Sequence, residues 1–319
     1  EALANGRHTR GIPSPGASDV LAIIAAKGEV SRAHIAELAG LNRVTVAQRL
    51  NELFAAELIE EGEQVPSTGG RPTRPIRLNR RFGAIAVADV GESTIRLAIT
   101  DLAPRMLAQA VFDFDPRTDP ARTIGKIAEN FRRLAEKAGL RPSNLIGACI
   151  GMPAPVDFDA GVVVGPSIMI GWDNVDIAGV LNKHIDVPTY IENDVNLLSI
   201  EAAKSALSVP DMFYVKVGTG IGSGMIFDGR IYRGANGAAG DIGHIQYGDF
   251  DAPLCRCGKR GCVEARAAGW ALARDLRARG FQAQDARDVM RLVRDNEPEA
   301  IHLVRRAGQV LGGAIADCV

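Results

Sequence analysis

Three cysteines within eight residues constrain this chain more than any other stretch of its sequence. They lie in Cys255-Arg256-Cys257-Gly258-Lys259-Arg260-Gly261-Cys262, and His244 stands eleven residues before the first of them. Three thiolates and one imidazole make a closed tetrahedral set for zinc, and four protein ligands leave no open position, so the expected role of the ion is structural rather than catalytic. Gly258 and Gly261 let the backbone wrap around it. The chain has five cysteines, an odd number. Close-set thiols read as metal ligands in a reducing compartment rather than as a disulfide framework, which places the protein in the cytoplasm. Cys149 and Cys318 have no such company and read as ordinary buried thiols.

A chain of 319 residues suits two or three folded units. Hydrophobic residues make up 46% and aromatics only 5%, with 35 glycines, which favours close helix–sheet packing over a β-sandwich. No apolar run approaches the length of a membrane span, and no charged-then-apolar leader opens the sequence, so no membrane partner is expected.

Residues 1–17 are rich in Gly, Pro and Ser and read as a flexible arm. Ser18 is a candidate cap for a helix through Ala26, with Val20, Leu21, Ile23 and Ile24 apolar. Ser31 caps the next helix, whose inner face is Ile35, Leu38 and Ala39. Gly40 and Leu41 break it. Asn42 caps a third, in which Val44, Val46, Leu50 and Leu53 recur at helical spacing. A strand from Ile59, a turn at Thr68-Gly69-Gly70-Arg71-Pro72 and a return at Pro75–Leu78 complete the order of a winged helix-turn-helix over residues 18–80.

Charge supports that order. The net charge is −1, but residues 1–81 carry 11 basic and 9 acidic side chains, and Gln64–Arg81 holds five arginines and no acid. Such a patch suits a phosphate backbone. Asn42, Arg43, Thr45, Gln48 and Arg49 lie opposite the apolar stripe of the third helix and are the residue types that read base edges from a major groove. Arg71 is placed to reach a minor groove or a phosphate. A solvated polar face on a protein-interaction module has the same pattern.

From residue 81 strands alternate with helices, so the body is α/β. Strands are expected at Ala84–Asp89, Thr94–Asp101, Leu145–Ile150, Thr189–Ile191, Met212–Val217 and Met225–Phe227. Helices are expected at Ala121–Ala138, Ser199–Ser205 and Ala307–Cys318. Gly218-Thr219-Gly220-Ile221-Gly222-Ser223-Gly224 follows a strand, and its amides suit phosphate, although glycines gather at any sharp bend. Glu192-Asn193-Asp194 ends a strand. A carboxylate there can accept a sugar hydroxyl proton, although an Asn-Asp pair at a strand end is more often a turn or helix cap.

Taken together these motifs resemble the ROK family (repressors, open reading frames and kinases). The resemblance rests on Asp89-Val-Gly91, Gly151-Met-Pro153, Glu192-Asn-Asp194-Val-Asn196, Gly218-Thr-Gly-Ile-Gly222, Gly240-Asp-Ile-Gly-His244 and the cysteine run through Glu264. The Gly69-Gly70-Arg71-Pro72 turn resembles that of its repressor branch. The resemblance implies a winged helix-turn-helix followed by a two-lobed actin-like ATPase domain over residues 81–319, with lobes of about 81–195 and about 196–319, the second incomplete at Val319. It assigns Asp194 to the position of the kinase base. It assigns Asn193, Asp194, His244 and Glu264 to sugar hydroxyls, with His244 oriented by the metal it also holds.

The chain departs from the pattern in ways that bear on activity. The first phosphate loop of the family reads Asp-x-Gly-Gly-Thr-Lys, whereas here Asp89-Val90-Gly91 is followed by Glu92, Ser93 and Thr94. Glu92 puts negative charge where phosphate oxygens approach. Ser167 stands where Asn is expected and Asp241 where Glu is expected, both lining the cleft, and Ala154 follows Pro153 where glycine is usual. The expected function is therefore a repressor of carbohydrate-metabolism genes that binds operator DNA as a homodimer or homotetramer and is switched by a sugar or sugar derivative. An ATP-dependent sugar kinase with an added DNA-binding domain, and a repressor governed by a protein partner, are the alternatives.

Overall fold

The computed structural model describes residues 13–64, 74–165, 169–205, 209–247 and 252–319. It divides into two compact units. One comprises Glu1–Val87, Ala98–Ala110 and Asn130–Ala148, and the other Ala88–Leu97, Val111–Glu129 and Cys149–Val319. The expected turn at 68–72, with Arg71, and the cleft position Ser167 lie outside the described residues.

The first unit opens with helix α1 (Pro15–Lys27), strand β1 (Glu29–Val30), helices α2 (Arg32–Ala39) and α3 (Arg43–Ala55), and strands β2 (Ile59–Glu61) and β3 (Ile76–Leu78). The three strands pair antiparallel in the order β1-β3-β2, with Val30 opposite Ile76 and Ile59 opposite Leu78. Ser31 and Asn42 cap α2 and α3 as expected, accepting from His34 N at 3.2 Å and Thr45 N at 2.9 Å. Gly40 ends α2 with φ 62°, a left-handed conformation that glycine adopts at no steric cost. Val20, Ile24, Ile35, Val46, Leu50, Leu53, Ile59 and Ile76 form one buried cluster. Each large side chain so buried is worth about 1.5–3 kcal/mol.

Several expectations are corrected here. The first cap is Ser14, not Ser18, so Pro15–Ala17 are helical rather than part of an arm. The reason is the Ser14-Pro15 pair: proline at the first helical position has its φ already set and no N–H to lose. Leu38 is 43% exposed and Val44 is 79% exposed, so neither belongs to the inner face assigned to it. The short strand β1 carries no periodicity that a two-residue segment could show.

The chain continues through β4 (Ala84–Val90), β5 (Thr94–Asp101), β6 (Met106–Asp113), α4 (Pro120–Lys137), β7 (Leu145–Met152), the short pair β8 (Val156–Asp157) and β9 (Val162–Val163), α5 (Ile177–Asn182) and β10 (Thr189–Asn193). Five of these strands form one sheet in the order β10-β7-β4-β5-β6. Burial alternates strictly along β4, the mark of a strand with one face covered.

The remainder of the second unit comprises α6 (Asp194–Ser205), β11 (Met212–Val217), β12 (Ile221–Phe227), β13 (Arg230–Tyr232) and helices α7 (Val263–Ala267), α8 (Gly269–Ala278), α9 (Ala286–Arg294) and α10 (Pro298–Ala316). Helix α10 thus starts nine residues before the expected Ala307. The glycine stretch Gly218–Gly224 is mostly strand. Only Gly218–Gly220 turn, and Ile221–Gly224 pair antiparallel with β11. Gly222 and Gly224 are there for packing: a β-carbon at Gly222 would lie 2.9 Å from the Val195 side chain, and one at Gly224 would collide with Ser199. Helix α6 therefore lies directly on bare backbone. Cys318 is exposed, against expectation, because it follows the end of α10, whereas Cys149 is partly buried. No described helix is long and apolar enough to cross a membrane.

Candidate functional site

The cysteine run folds back on itself so that His244, Cys255, Cys257 and Cys262 bring one ligand atom each within 4.8 Å of one another. His244 Nδ1 lies 3.7 Å from Cys255 Sγ, and Cys257 Sγ lies 3.7 Å from Cys262 Sγ. Gly258 and Gly261 both have positive φ, 87° and 77°, and a β-carbon at Gly261 would meet the Tyr247 carbonyl, so the wrap needs glycine there. Burial and the neighbouring thiols push Cys262 up to about 12, and burial raises Cys255 as well. Cys255 and Cys262, buried and crowded in this way, hold their protons unless a cation compensates. The donor set fits a metal that prefers sulfur and imidazole.

His244 also lines a cavity of about 300 Å³ in the same unit, together with Asn193, Asp194, Asp241 and Glu264. Five of the six cleft positions named from sequence thus surround one space, and one of them, His244, also belongs to the metal set. Asn193 ends β10 and is heavily used: its Oδ1 accepts from Val195 N at 2.9 Å and Asn196 N at 3.1 Å, and its Nδ2 donates to the Ala154 carbonyl at 3.0 Å. It is a helix cap and a cavity wall at once, with one N–H left over. Below it the buried Glu192 accepts from Asn196 Nδ2 at 2.9 Å and pairs with Arg233 at 2.7 Å. Burial pushes the Asp241 carboxyl up, with His244 drawing it down and Glu264 adding to the rise.

Two side chains that the sequence reading passed over organise this cavity. Lys216, in β11, places its ammonium 2.5 Å from Asp194 Oδ2. Burial raises the Asp194 carboxyl, Lys216 draws it down, and Asp89 adds to the rise, for a net upward shift. Arg256, between two of the cysteines, reaches Glu92 at 2.6 and 3.1 Å and Glu264 at 3.0 Å. Glu264 further accepts from Trp270 Nε1 at 3.2 Å and from Ile221 N at 3.2 Å. Glu92 is therefore not the bare negative charge that the loop sequence suggests. Lys216 sits in no motif whose spacing announces a role, and Arg256, although inside the cysteine motif, acts on Glu92, which is distant in sequence.

In the first unit the candidate groove-reading residues divide. Arg43 and Gln48 are exposed on α3. Thr45 is partly buried, and Asn42 spends its side-chain oxygen on the cap. The Arg49 guanidinium packs against Gly16, where a β-carbon would lie 2.6 Å from it. The arginine run is less free than its sequence implies: Arg77 pairs with Glu29 at 3.1 Å and Glu60 at 2.8 Å, and Arg74 lies 3.8 Å from Glu61. Acids of β1 and β2 thus engage two of the five arginines of a run that contains no acid of its own.

Residues 85–319 match the ROK family. The xylose repressor of Bacillus subtilis is 30% identical over 287 residues, which cover 89% of this chain and 73% of that protein. A crystal structure of a ROK family transcriptional regulator, a homolog of the E. coli MLC protein, superposes with a TM-score of 0.75 at 23% identity, covering 95% of this chain and 79% of that one. The ROK hexokinase from Thermus thermophilus superposes with a TM-score of 0.59 at 31% identity, covering 74% and 77%.

Proposed function

The chain belongs to the ROK family, and from that premise we infer that it is a sugar-responsive transcriptional repressor. One observation carries the reading. An alignment covering 89% of the chain cannot fit within residues 85–319, so the likeness to a named repressor reaches back at least through α3 into α2, while the hexokinase covers only 74%.

In this reading α1–α3 with β1–β3 form a winged helix-turn-helix, and α3 enters the major groove with Arg43 and Gln48 toward base edges. The cavity bounded by Asn193, Asp194, Asp241, His244 and Glu264 takes the effector, with Ser167 and Arg71 as further contacts to sugar and DNA. His244, Cys255, Cys257 and Cys262 hold a structural zinc, which when bound supplies charge and cross-linking to a loop that has little core of its own. The protein acts on paired half-sites as a homodimer or homotetramer. The sugar shifts the DNA equilibrium only by its unequal affinity for the two forms. In this reading any sugar-kinase activity is residual: Asp194 is held by Lys216, and Glu92, paired with Arg256, stands where the family resemblance puts the first phosphate loop.

Footprinting on the DNA flanking the gene, with and without a panel of pentoses, hexoses and their phosphates, tests this. A protected site that one sugar releases is expected. Absence of any specific site at physiological salt defeats it. Rapid ADP release with a hexose, abolished by Asp194→Asn, restores the kinase reading.

A further inference from the structure

The turn Gly218–Gly220 offers what an anion seeks: backbone amides, a glycine backbone that can be approached closely, and a guanidinium nearby. Much of it is already taken, the Gly218 N–H by the Gly220 carbonyl. A β-carbon at Gly220 would lie 2.8 Å from Glu264 Oε2, 3.5 Å from Glu92 Oε1 and 3.6 Å from Arg256 Nη2, so three charged groups converge over this one residue. The Ile221 N–H donates to Glu264. Arg256 holds Glu92 through two nitrogens, the same paired geometry with which arginine grips phosphate, and stands 5.0 Å from the Trp270 ring centroid. The cavity wall itself is acidic: Glu92, Asp194, Asp241 and Glu264 line it against the bases Arg96 and Lys216.

We propose that Glu92 is a specificity-determining residue whose carboxylate takes the place of a phosphate group on Arg256, above the Gly218–Gly220 turn, and so makes the cleft refuse the phosphate chain of a nucleotide. The exclusion works by occupancy together with repulsion, because Arg256 is shared between Glu92 and Glu264 and the three groups keep a net negative charge. Glu92 and the arginine of the cysteine loop act as a unit, and removing the carboxylate alone exposes a half-paired guanidinium to solvent anions. The consequence is a regulator that reports its effector without reading the nucleotide pool. That consequence rests on the cleft being the effector site, which sugar titration of the unaltered protein tests separately.

The experiment titrates sodium tripolyphosphate into the full chain by calorimetry, for the unaltered protein, Glu92→Gln, and Glu92→Gln with Arg256→Met. Glu92→Gln should bind at least roughly tenfold more tightly than the unaltered protein, a modest gain for one freed charge-assisted contact. The double variant should lose that gain. Melting curves and metal content are read on the same samples, and Glu92→Gly provides a second route should the glutamine variant fail to fold. Equal binding by the unaltered and single-variant proteins overturns the proposal, as does a gain that survives loss of Arg256. Failure of sugars to bind the unaltered protein would remove the effector reading and leave the tripolyphosphate comparison standing.

Discussion

The ammonium of Lys216 lies 2.5 Å from the carboxylate of Asp194, joining the end of a strand to the first residue of a helix. The pair sits at the edge of the cavity, Asp194 only 12% exposed and Lys216 42%. Lys216→Met leaves the aspartate with its burial penalty uncompensated. Loss of one partner of a fully buried pair costs about 3–5 kcal/mol, but an exposed lysine is screened by water, so about 1–2 kcal/mol is expected. The carboxyl is already above its ordinary value of 3.8 and rises further in the variant. A raised acid weakens the fold when ionised, so the deficit is full above its folded pKa and fades as pH falls toward 3.8. Urea melts should show a larger gap between variant and parent at pH 7 than at pH 5, and adding Asp194→Asn should close it.

Metal removal is predicted to cost stability in a pH-dependent way. Cys262 is held up to about 12 without a cation, so binding must displace protons, and apparent zinc affinity should climb with pH. Elemental analysis should find one zinc per chain, absent from Cys262→Ser. If the metal contributes about 2 kcal/mol or more, the midpoint falls by roughly 4–8 °C on chelation. A metal-free protein with an unchanged midpoint would refute this.

Val44 is 79% exposed in the first turn of α3, flanked by Arg43 and Thr45. An aliphatic group in that place is suited to a thymine methyl. Val44→Ser should weaken specific DNA binding by about 1–3 kcal/mol, the usual worth of one base contact, with the melting curve unmoved. Leu50→Ala on the opposite face should instead cost about 2–5 kcal/mol of stability. Uracil-substituted operator DNA should reproduce the Val44→Ser loss with unaltered protein, and equal affinity for both DNAs would count against the contact.

The arginine run should contribute unevenly to salt dependence. Arg77 is engaged by Glu29 and Glu60, whereas Arg43 is exposed on α3. The slope of log affinity against log salt should shrink by about 0.9 for a lost phosphate contact. Arg43→Gln is predicted to show such a change and Arg77→Gln none. The reverse order would show that the β1–β3 ion pairs open when DNA binds.

What could be read beforehand was whatever local spacing encodes. The metal set is legible because three of its members fall within eight residues, and the caps Ser31 and Asn42 because a polar residue precedes an apolar period. Ser14 was missed for Ser18 because both precede apolar residues, and only Pro15 favours the earlier start. The pairing of Lys216 with Asp194 and of Arg256 with Glu92 is not legible, because those partners lie 22 and 164 residues away, where no periodicity connects them. The glycines of β12 were taken for a loop, since glycine marks close backbone approach as readily as it marks a bend.

That close approach has a mechanical result. At Gly222 and Gly224 only α6 contributes side chains to its contact with β12, through Val195 and Ser199, so little can rearrange there when the cavity fills. A pull on the remaining Asn193 proton acts on the capped end of α6, and the helix can answer only by carrying the strand with it, as a stiff lever rather than a soft contact that yields.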